Sequence, residues 1–231
     1  MNAALFDVDG TLLTGPHSSE ALFIRHLLRR GVIGPRQALA AGWFTLANGM
    51  RYGRHVFRRN KAYLSGLALD DVAAIARAFV EGDLHTRIDR VMLRRMDEHR
   101  RAGEAILLLT GTPDFLAGPL AERVGADGWE AARYALRAGR FVAASPVSHP
   151  LGEEKVMAAA DLCARHGANL AEATAYADSI HDLSLLARVA RPVAVRPDRR
   201  LAAEARARDW EIIDAVPGGD HDAAAGRTRT A

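Results

Sequence analysis

The sequence predicts an α/β protein with a doubly wound parallel sheet and a small all-helical segment inserted after the first strand. From about residue 89 onward, short apolar runs typical of buried strands alternate with helical patterns. This alternation indicates a parallel sheet that is covered by helices on both faces. Residues 15–88 show helical periodicity and no convincing strand. An apolar run at residues 3–6 precedes that stretch, so the first strand is expected to pair with strands formed much later in the chain.

The inserted segment is predicted to contain four helices. A turn at Gly15-Pro16 separates it from the first strand region, and Gly31 ends the first helix. Pro35 is expected to open the second helix, and the side chain of Asp70 to cap the fourth. The first three helices are predicted at residues 20–30, 35–48 and 50–64.

The later part of the chain predicts six further strands and their helices. Residues 105–109 form the longest apolar run and indicate a buried strand. An Ala138-Gly139 turn is expected to join two strands. Strands are predicted at residues 105–110, 129–136, 140–144, 173–177, 193–195 and, at an edge, 210–213. Helices are predicted at residues 90–101, 113–124, 153–166, 182–189 and 198–208.

These patterns divide the chain into a catalytic core at residues 1–14 and 89–216, a helical cap at residues 15–88, and a disordered tail at residues 217–231. The 231 residues are 49% apolar and carry a formal net charge of +3. This mild charge suits an anionic small molecule, and we expect no nucleic-acid partner. A single cysteine, Cys163, excludes an internal disulfide, and we expect a cytoplasmic protein without a signal peptide or membrane span.

The most informative motif is the run Asp7-Val8-Asp9-Gly10-Thr11, which follows the first strand. Alternation along a strand places Asp7 and Asp9 on the same side. Two carboxylates so close together repel each other and favour a cation between them, and Mg²⁺ prefers such oxygen ligands. The run therefore predicts a reaction centre at the carboxyl end of a strand.

Three further signals accompany this run. Thr110-Gly111-Thr112 ends the second strand, Lys155 lies near the start of a helix, and Asp178-Ser179-Ile180-His181-Asp182 follows another strand. Ligands of open α/β sheets bind at strand carboxyl ends. Lys155 is informative because the chain has lysine only here and at Lys61, while arginine fills its other basic positions.

With these four motifs in this order, the chain resembles the haloacid dehalogenase superfamily of phosphohydrolases, and within it the phosphoserine-phosphatase-like branch. The resemblance extends from Leu5 to about Ile213. It implies a Rossmann-like core with a helical cap inserted after the first motif. It also implies a phosphatase that requires Mg²⁺ and acts on a small phosphorylated metabolite.

The resemblance further implies a role for each matching residue. Asp7 is the nucleophile, and Asp9 protonates the leaving group and then activates water. Thr110 and the backbone N–H of Gly111 bind phosphoryl oxygens. Lys155 neutralises negative charge on the phosphoryl group and on Asp7. Asp7, Asp178 and the backbone carbonyl of Asp9 bind the metal. Asp182 supports the metal site, either through water or by orienting Lys155.

Several points stay open at the level of sequence. The branch usually has glycine where this chain has Ala177, for which we expect slight crowding and no loss of metal. Phosphoserine-specific relatives carry an amine-binding glutamate near the position of Pro16. Glu20 stands four residues later and is the cap residue that could take over this role. His181 either touches substrate or is an exposed histidine at a helix start. The cap residues that either bind an anion or form a solvated basic face are Arg51, Arg54, His55, Arg58 and Arg59.

The substrate and the class of function also have alternatives. Phosphoserine, histidinol phosphate and a lipid phosphate all fit the branch, and a phosphotransferase differs only in the acceptor. A non-catalytic phosphate-binding or regulatory protein on the same fold is the alternative from another class. A dehalogenase is less consistent with Asp9 and Asp178, which serve phosphate chemistry. The oligomeric state is not predicted.

Overall fold

A six-stranded parallel sheet forms the centre of the computed structural model, which describes residues 2–52 and 61–214, with side chains described outside residues 48–52. The sheet strands are β1 (Ala3–Phe6), β2 (Ala105–Pro113), β3 (Gly128–Ala132), β6 (Thr174–Ala177), β7 (Arg191–Val195) and β8 (Glu211–Ile213). Their order in the sheet is β3-β2-β1-β6-β7-β8, so the first strand lies in the interior of the sheet. This sheet confirms the predicted α/β fold.

Strand β1 is apolar along its whole length because both of its faces are covered. Ala4 pairs in register with Ile106 of β2 and with Thr174 of β6. Phe6 points into one hydrophobic cluster and Leu5 into the other, as the two-residue repeat of a strand requires. Two separate cores therefore lie on the two faces of one sheet.

Eight α-helices are described, and those of the core lie on both faces of the sheet. Helices α4 and α5 pack on the Phe6 side, and α6, α7 and α8 on the Leu5 side. The helices are α1 (Ser19–Arg29), α2 (Pro35–Tyr52), α3 (Leu69–Gly82), α4 (Arg90–Arg101), α5 (Asp114–Val124), α6 (Glu153–Arg165), α7 (Leu183–Leu186) and α8 (Arg199–Ala207).

Two predictions about the inserted segment are wrong. Helix α2 continues through Met50 to Tyr52, so no break separates a second from a third helix at residues 48–50. Gly49 stands at the predicted break, but a single glycine inside a helix is tolerated, and no proline is present to end the helix there. Helix α3 begins at Leu69, and Ala68 is its N-cap residue. Asp70 therefore lies in the first turn and not at the cap, and its negative charge there interacts favourably with the helix dipole. No described helix is long and apolar enough to cross a membrane.

The inserted helices share a hydrophobic cluster with the core. Phe23 of α1 lies with its ring centroid 5.5 Å from that of Phe79 in α3 and 5.6 Å from that of Phe115 in α5. An antiparallel bridge between Leu13 and Ile88 joins the two connections that link the inserted helices to the sheet. We propose that the boundary between cap and core lies at this bridge.

A small hairpin stands beside the main sheet and corrects a further prediction. The predicted strand 129–136 is divided: its first part is β3 of the main sheet, and Leu136–Arg137 (β4) pairs with Arg140–Phe141 (β5). Ala138 and Gly139 form the turn with φ values of 49° and 73°, as expected for a tight hairpin. The hairpin reaches the cap, because Phe141 N–H donates to the carbonyl of Leu67. The predicted tail at residues 217–231 lies outside the described residues.

Candidate active site

The four predicted motifs meet at the carboxyl ends of three neighbouring strands. Asp7 follows β1, Thr110 lies near the end of β2, and Asp178 follows β6. Strand order reverses at β1, which is the position where open α/β sheets bind ligands. Lys155 reaches the same place from the first turn of α6.

Lys155 is buried between two carboxylates. Its Nζ lies 2.7 Å from Asp7 Oδ1 and 2.7 Å from Asp182 Oδ1. Burial by itself lowers the pKa of this ammonium, but the charges of Asp7 and Asp182 outweigh burial and hold the pKa above its ordinary value. Lys155 therefore stays protonated and provides a fixed positive charge beside Asp7.

Asp7, Asp178 and Asp182 form an acidic cluster whose ligand oxygens lie within 4.8 Å of one another. Burial raises the pKa of Asp7 from 3.8 to about 7, against the opposing effect of Lys155, and raises the pKa of Asp178 to about 6. Three carboxylates beside one ammonium leave an excess of negative charge. A hard divalent cation offsets such an excess, and carboxylate oxygens are the ligands it prefers.

Gly10 allows this cluster to form. Its φ of +85° lies in the left-handed region that favours glycine, and an added Cβ would lie only 2.1 Å from Asp178 Oδ2. Any side chain at this position would push Asp178 away from Asp7. The glycine in the first motif is therefore required by the close approach of two loops.

The carboxylate of Asp9 lies outside this cluster, which corrects the expectation that Asp7 and Asp9 hold a cation between their side chains. Strand β1 ends at Phe6, so strand alternation does not extend to Asp9. Asp9 Oδ1 accepts from the Ser19 N–H at 2.7 Å, and Oδ2 accepts from Ser19 Oγ at 3.0 Å and Thr112 Oγ1 at 3.1 Å. Burial raises the pKa of Asp9, while these hydrogen bonds oppose the increase.

Thr110 and Gly111 line the pocket beside Asp7. The Thr110 hydroxyl accepts from the Thr112 N–H and donates to Thr112 Oγ1, both at 3.0 Å. The ring of His149 closes the pocket next to Gly111, where an added Cβ would lie 3.2 Å from His149 Cε1. Glycine at this position keeps the backbone open to a ligand.

The pocket has a volume of about 310 Å³ and combines residues of both parts of the fold. The core contributes the acidic cluster, Lys155 and Thr110, while the inserted segment contributes Ser18, Glu20 and Lys61. Both lysines of the chain are therefore in this pocket. Lys155 was singled out because lysine is rare in this chain. The same criterion applied to Lys61 would have identified it as a site residue.

Comparison with known proteins agrees with this geometry. The family model described as haloacid dehalogenase-like hydrolase matches residues 4–187, which include all four motifs. The chain belongs to this hydrolase family. A Mycobacterium tuberculosis protein named phosphoserine phosphatase is 33% identical to this hydrolase over 225 residues, covering 92% of this chain and 70% of the relative.

Solved structures confirm the fold of the hydrolase. A Bordetella pertussis protein of unknown function has a TM-score of 0.77 and 28% identity, covering 92% of this chain and 98% of the other. A phosphoserine phosphatase holding an analogue of its phospho-aspartyl intermediate has a TM-score of 0.59 at 17% identity, covering 93% of each chain. At that identity the second likeness concerns the fold alone.

The remaining predicted residues of the hydrolase have different outcomes. His181 is exposed at the pocket entrance, and Ala177 is fully buried directly before Asp178. Glu20 lines the pocket, but Lys61, Tyr63 and Tyr134 bind its carboxylate. Four residues of the predicted basic face, Arg54, His55, Arg58 and Arg59, lie outside the described residues, as does the side chain of Arg51.

Arg196 is a residue near the site that the sequence patterns did not indicate. Its guanidinium donates to the carbonyls of Gly10 at 3.0 Å and Thr11 at 2.6 Å, and it also pairs with the buried carboxylate of Asp89. It thereby fixes the loop that carries Asp9. Its φ of 43° is uncommon for a residue other than glycine, but nothing in the sequence pattern announces this conformation.

Proposed function

We propose that this hydrolase is a Mg²⁺-dependent phosphomonoesterase that hydrolyses a small phosphorylated metabolite through an aspartyl-phosphate on Asp7. The observation that carries the proposal is the bridge from Lys155 to Asp7 and Asp182, beside Asp178, at three strand ends. Phosphoryl transfer depends mainly on positioning and on positive charge around the phosphoryl oxygens. The named phosphatase among the relatives supports the same activity.

In the first step, the Asp7 carboxylate attacks phosphorus and the bond from phosphorus to the leaving oxygen breaks. The leaving oxygen takes the proton of Asp9; burial raises the pKa of this carboxyl, which favours its protonated form. Lys155 offsets the negative charge on the attacking carboxylate and on the phosphoryl group. The Gly111 N–H binds a phosphoryl oxygen, and so does the Thr110 hydroxyl once its proton turns from Thr112 Oγ1 toward the pocket.

In the second step, a water molecule attacks the phosphorus of the aspartyl-phosphate. The Asp9 carboxylate accepts a proton from this water, which restores its protonated form, and the Asp7 carboxylate leaves as phosphate is released. Ser19 and Thr112 hold Asp9 in one position through both steps. Asp9 is thus an acid and then a base, while Asp7 is a nucleophile.

The residues present fit Mg²⁺. Three carboxylates converge, and Gly10 leaves room for Asp178 to approach. The proposed ligands are Asp7, Asp178 and the backbone carbonyl of Asp9, with Asp182 supporting the site by holding Lys155. When bound, the cation supplies positive charge against the phosphoryl oxygens.

Hydrolysis of p-nitrophenyl phosphate in the presence of Mg²⁺ tests the activity. We expect turnover by the parent protein, loss of turnover on adding a chelator, and a loss of at least about a thousandfold in Asp7→Asn, since the amide is not a nucleophile. Asp161→Asn is the matched control, because Asp161 is an exposed aspartate on α6. A parent protein that is inactive on aryl and metabolite phosphates alike contradicts the proposal and favours a non-catalytic phosphate-binding protein.

A phosphotransferase is the second candidate of the same chemistry, since the aspartyl-phosphate can pass to an alcohol in place of water. Adding glycerol to the assay distinguishes the two. A hydrolase releases one inorganic phosphate for each nitrophenol formed, whereas a transferase releases less and phosphorylates the glycerol. The cytoplasmic location stays a prediction.

A further inference from the structure

The carboxylate of Glu20 lines the pocket on the side that the inserted segment forms, and other side chains of the protein bind it there. Lys61 Nζ lies 2.7 Å from Glu20 Oε1 and 2.5 Å from Oε2. The hydroxyls of Tyr63 and Tyr134 donate to Oε1 at 2.7 Å and 2.6 Å. Helix α1, the segment around Lys61 and the loop after β3 thus meet at one carboxylate.

This pair presents no net charge to the pocket. The Lys61 side chain is 5% exposed and that of Glu20 is 20% exposed, so water screens their attraction only weakly. Burial, together with the negative charge of Glu20, raises the pKa of Tyr63 and Tyr134 well above the ordinary value. The two tyrosines therefore remain neutral donors, and Lys61 and Glu20 cancel each other.

A substrate ammonium is poorly matched to this wall. To reach Glu20 it would have to approach the Lys61 ammonium, and like charges repel strongly where water is scarce. To replace Lys61 it would have to leave a buried ammonium without its partner, which is costly. Glu20 therefore does not select for an amino group, although it is an acid that lines the pocket.

The same wall is well matched to a hydroxyl group. An ammonium has three N–H groups. Among the described residues Lys61 Nζ directs hydrogen bonds only to the two Glu20 oxygens, and it also lies 5.3 Å from the centroid of the Tyr134 ring. Glu20 Oε2 accepts only from Lys61 within the described part of the chain. A donor and an acceptor thus stand side by side, as a hydroxyl that both accepts and donates requires.

From this arrangement we infer that the enzyme acts on phosphomonoesters of small, uncharged, hydroxyl-bearing alcohols and discriminates against esters that carry an ammonium. The inference rests on the proposed phosphatase function and specifies its leaving group. The pocket volume of about 310 Å³ lies at the lower end for ligand sites, which favours a small alcohol. An amino-acid phosphate is therefore not the preferred substrate.

Two nearly isosteric substrates test the inference. 2-Hydroxyethyl phosphate and phosphoethanolamine differ only in a terminal hydroxyl or ammonium. We expect the parent protein to have a kcat/KM at least about tenfold higher for the hydroxyl compound. In Lys61→Met the carboxylate of Glu20 is uncovered, and we expect the ratio of the two kcat/KM values to move at least about tenfold toward phosphoethanolamine.

Two further variants complete the test. Tyr63→Phe removes one hydrogen bond to Glu20 but no charge, so the preference for the hydroxyl compound is expected to remain. Glu20→Gln leaves Lys61 without its counter-charge, so we expect selectivity to move toward substrates with an anionic leaving group. The ratio of the kcat/KM values for phosphoglycolate and 2-hydroxyethyl phosphate measures this change. Glu20→Gln tests the same charge balance from the other side if Lys61→Met does not fold.

The outcomes separate this inference from the proposed function. If the parent protein hydrolyses p-nitrophenyl phosphate but prefers phosphoethanolamine, the inference is overturned and the phosphatase function stands. The inference is also overturned if both charge-changing variants keep the parental selectivity. If no phosphate ester is hydrolysed, the proposed function itself fails.

Discussion

At the scale of single residues, neighbouring carboxylates differ because their partners differ. Asp7 contacts the ammonium of Lys155, whereas Asp9 contacts the hydroxyls of Ser19 and Thr112. The fixed charge of Lys155 opposes the increase that burial causes in the pKa of Asp7, and a bound cation would oppose it further, as a nucleophile requires. The buried, uncharged surroundings of Asp9 favour its protonated form, as an acid requires.

We predict that Ser19→Ala shifts the pH profile of kcat to higher pH on its alkaline side. The Ser19 hydroxyl stabilises ionised Asp9, so its removal raises the pKa of Asp9 further. The alkaline side reports loss of the proton from this acid, and it moves in the direction of the pKa. Steady-state kinetics across the pH range measure the shift.

Ser18→Ala is the control for this experiment. Ser18 caps α1 by accepting from the Ala21 N–H and does not bond to Asp9. We expect it to lower the free energy of unfolding by about 1 kcal/mol without moving the alkaline side. Equal shifts in both variants would show that the effect comes from helix α1 and not from Asp9.

A second prediction at this scale concerns the acidic cluster. The pKa values of Asp7 and Asp178 are raised to about 7 and about 6 in the folded protein. A raised carboxyl pKa contributes stability that is present below the unfolded value of 3.8 and is lost as pH rises through the folded value. The metal-free protein therefore loses stability through these groups as pH rises toward neutral.

We predict that Mg²⁺ raises the Tm more at about pH 8 than at about pH 5.5, because protons no longer compete for the carboxylates. Thermal unfolding with and without the metal measures this difference. Asp178→Asn should abolish most of the increase, whereas Asp161→Asn should keep it. An increase that is independent of pH would place the metal elsewhere.

At the scale of elements, the loop after β1 is held by the loop after β7. Arg196 donates to the carbonyls of Gly10 and Thr11 and pairs with Asp89, which in turn caps α4 through the Val91 N–H. The Asp89 N–H also donates to the carbonyl of Leu12 at 2.8 Å. One arginine thus connects the catalytic loop with the chain segment that returns from the inserted helices.

We predict that Arg196→Met lowers the free energy of unfolding by about 3 kcal/mol, because Asp89 is then a buried carboxylate without its cation. We also expect kcat to fall, since the Asp9 loop loses its support. Chemical denaturation and aryl phosphate kinetics measure the two effects. Arg208→Met removes an exposed pair with Glu204 and should cost less than about 1 kcal/mol.

At this scale the sequence predicted most of the elements. Strand β1 and helix α4 were predicted at their observed bounds because apolar periodicity and end signals agreed there. The failures were at places where local signals conflict with tertiary contacts: the strand predicted at 129–136 is divided between the sheet and the hairpin. The helix break at residues 48–50 had no proline behind it, and helix α2 continues.

The sequence predicted only part of the site, because some of its contacts join distant segments of the chain. Motif order identified Asp7, Asp9, Thr110, Lys155 and Asp178, and the structure brings these residues together in one pocket. The partners of Asp9 and Glu20 depend on contacts between distant segments. No local sequence pattern predicts such contacts for Ser19, Tyr134 or Arg196.

At the scale of the whole molecule, the inserted helices and the core share one hydrophobic cluster. Phe23 and Val72 of the inserted segment belong to the same cluster as Phe6 and Leu108 of the sheet. The pocket also takes residues from both parts. Folding of the core and formation of the substrate wall are therefore coupled.

We predict a single cooperative unfolding transition. Hydrogen exchange in α1 and α3, followed by mass spectrometry, and the far-ultraviolet circular dichroism of the whole chain should report the same midpoint in denaturant. Phe23→Ala should lower the free energy of unfolding by about 3–5 kcal/mol while the two probes stay coincident, because a fully buried ring is removed from the shared cluster. Two separate midpoints would show that the inserted helices unfold independently.

In the proposed mechanism, Asp7 carries the phosphoryl group during turnover. The most direct test is to quench the protein in acid while it hydrolyses an aryl phosphate with Mg²⁺, reduce it with borohydride and sequence its peptides by mass spectrometry. An aspartyl-phosphate is an acyl phosphate, so reduction converts its residue to homoserine. We predict homoserine at residue 7 in the parent protein and none in a sample quenched before substrate is added. Turnover with unmodified Asp7 in the quenched samples, or homoserine at another aspartate, would show that the phosphoryl group does not pass through Asp7.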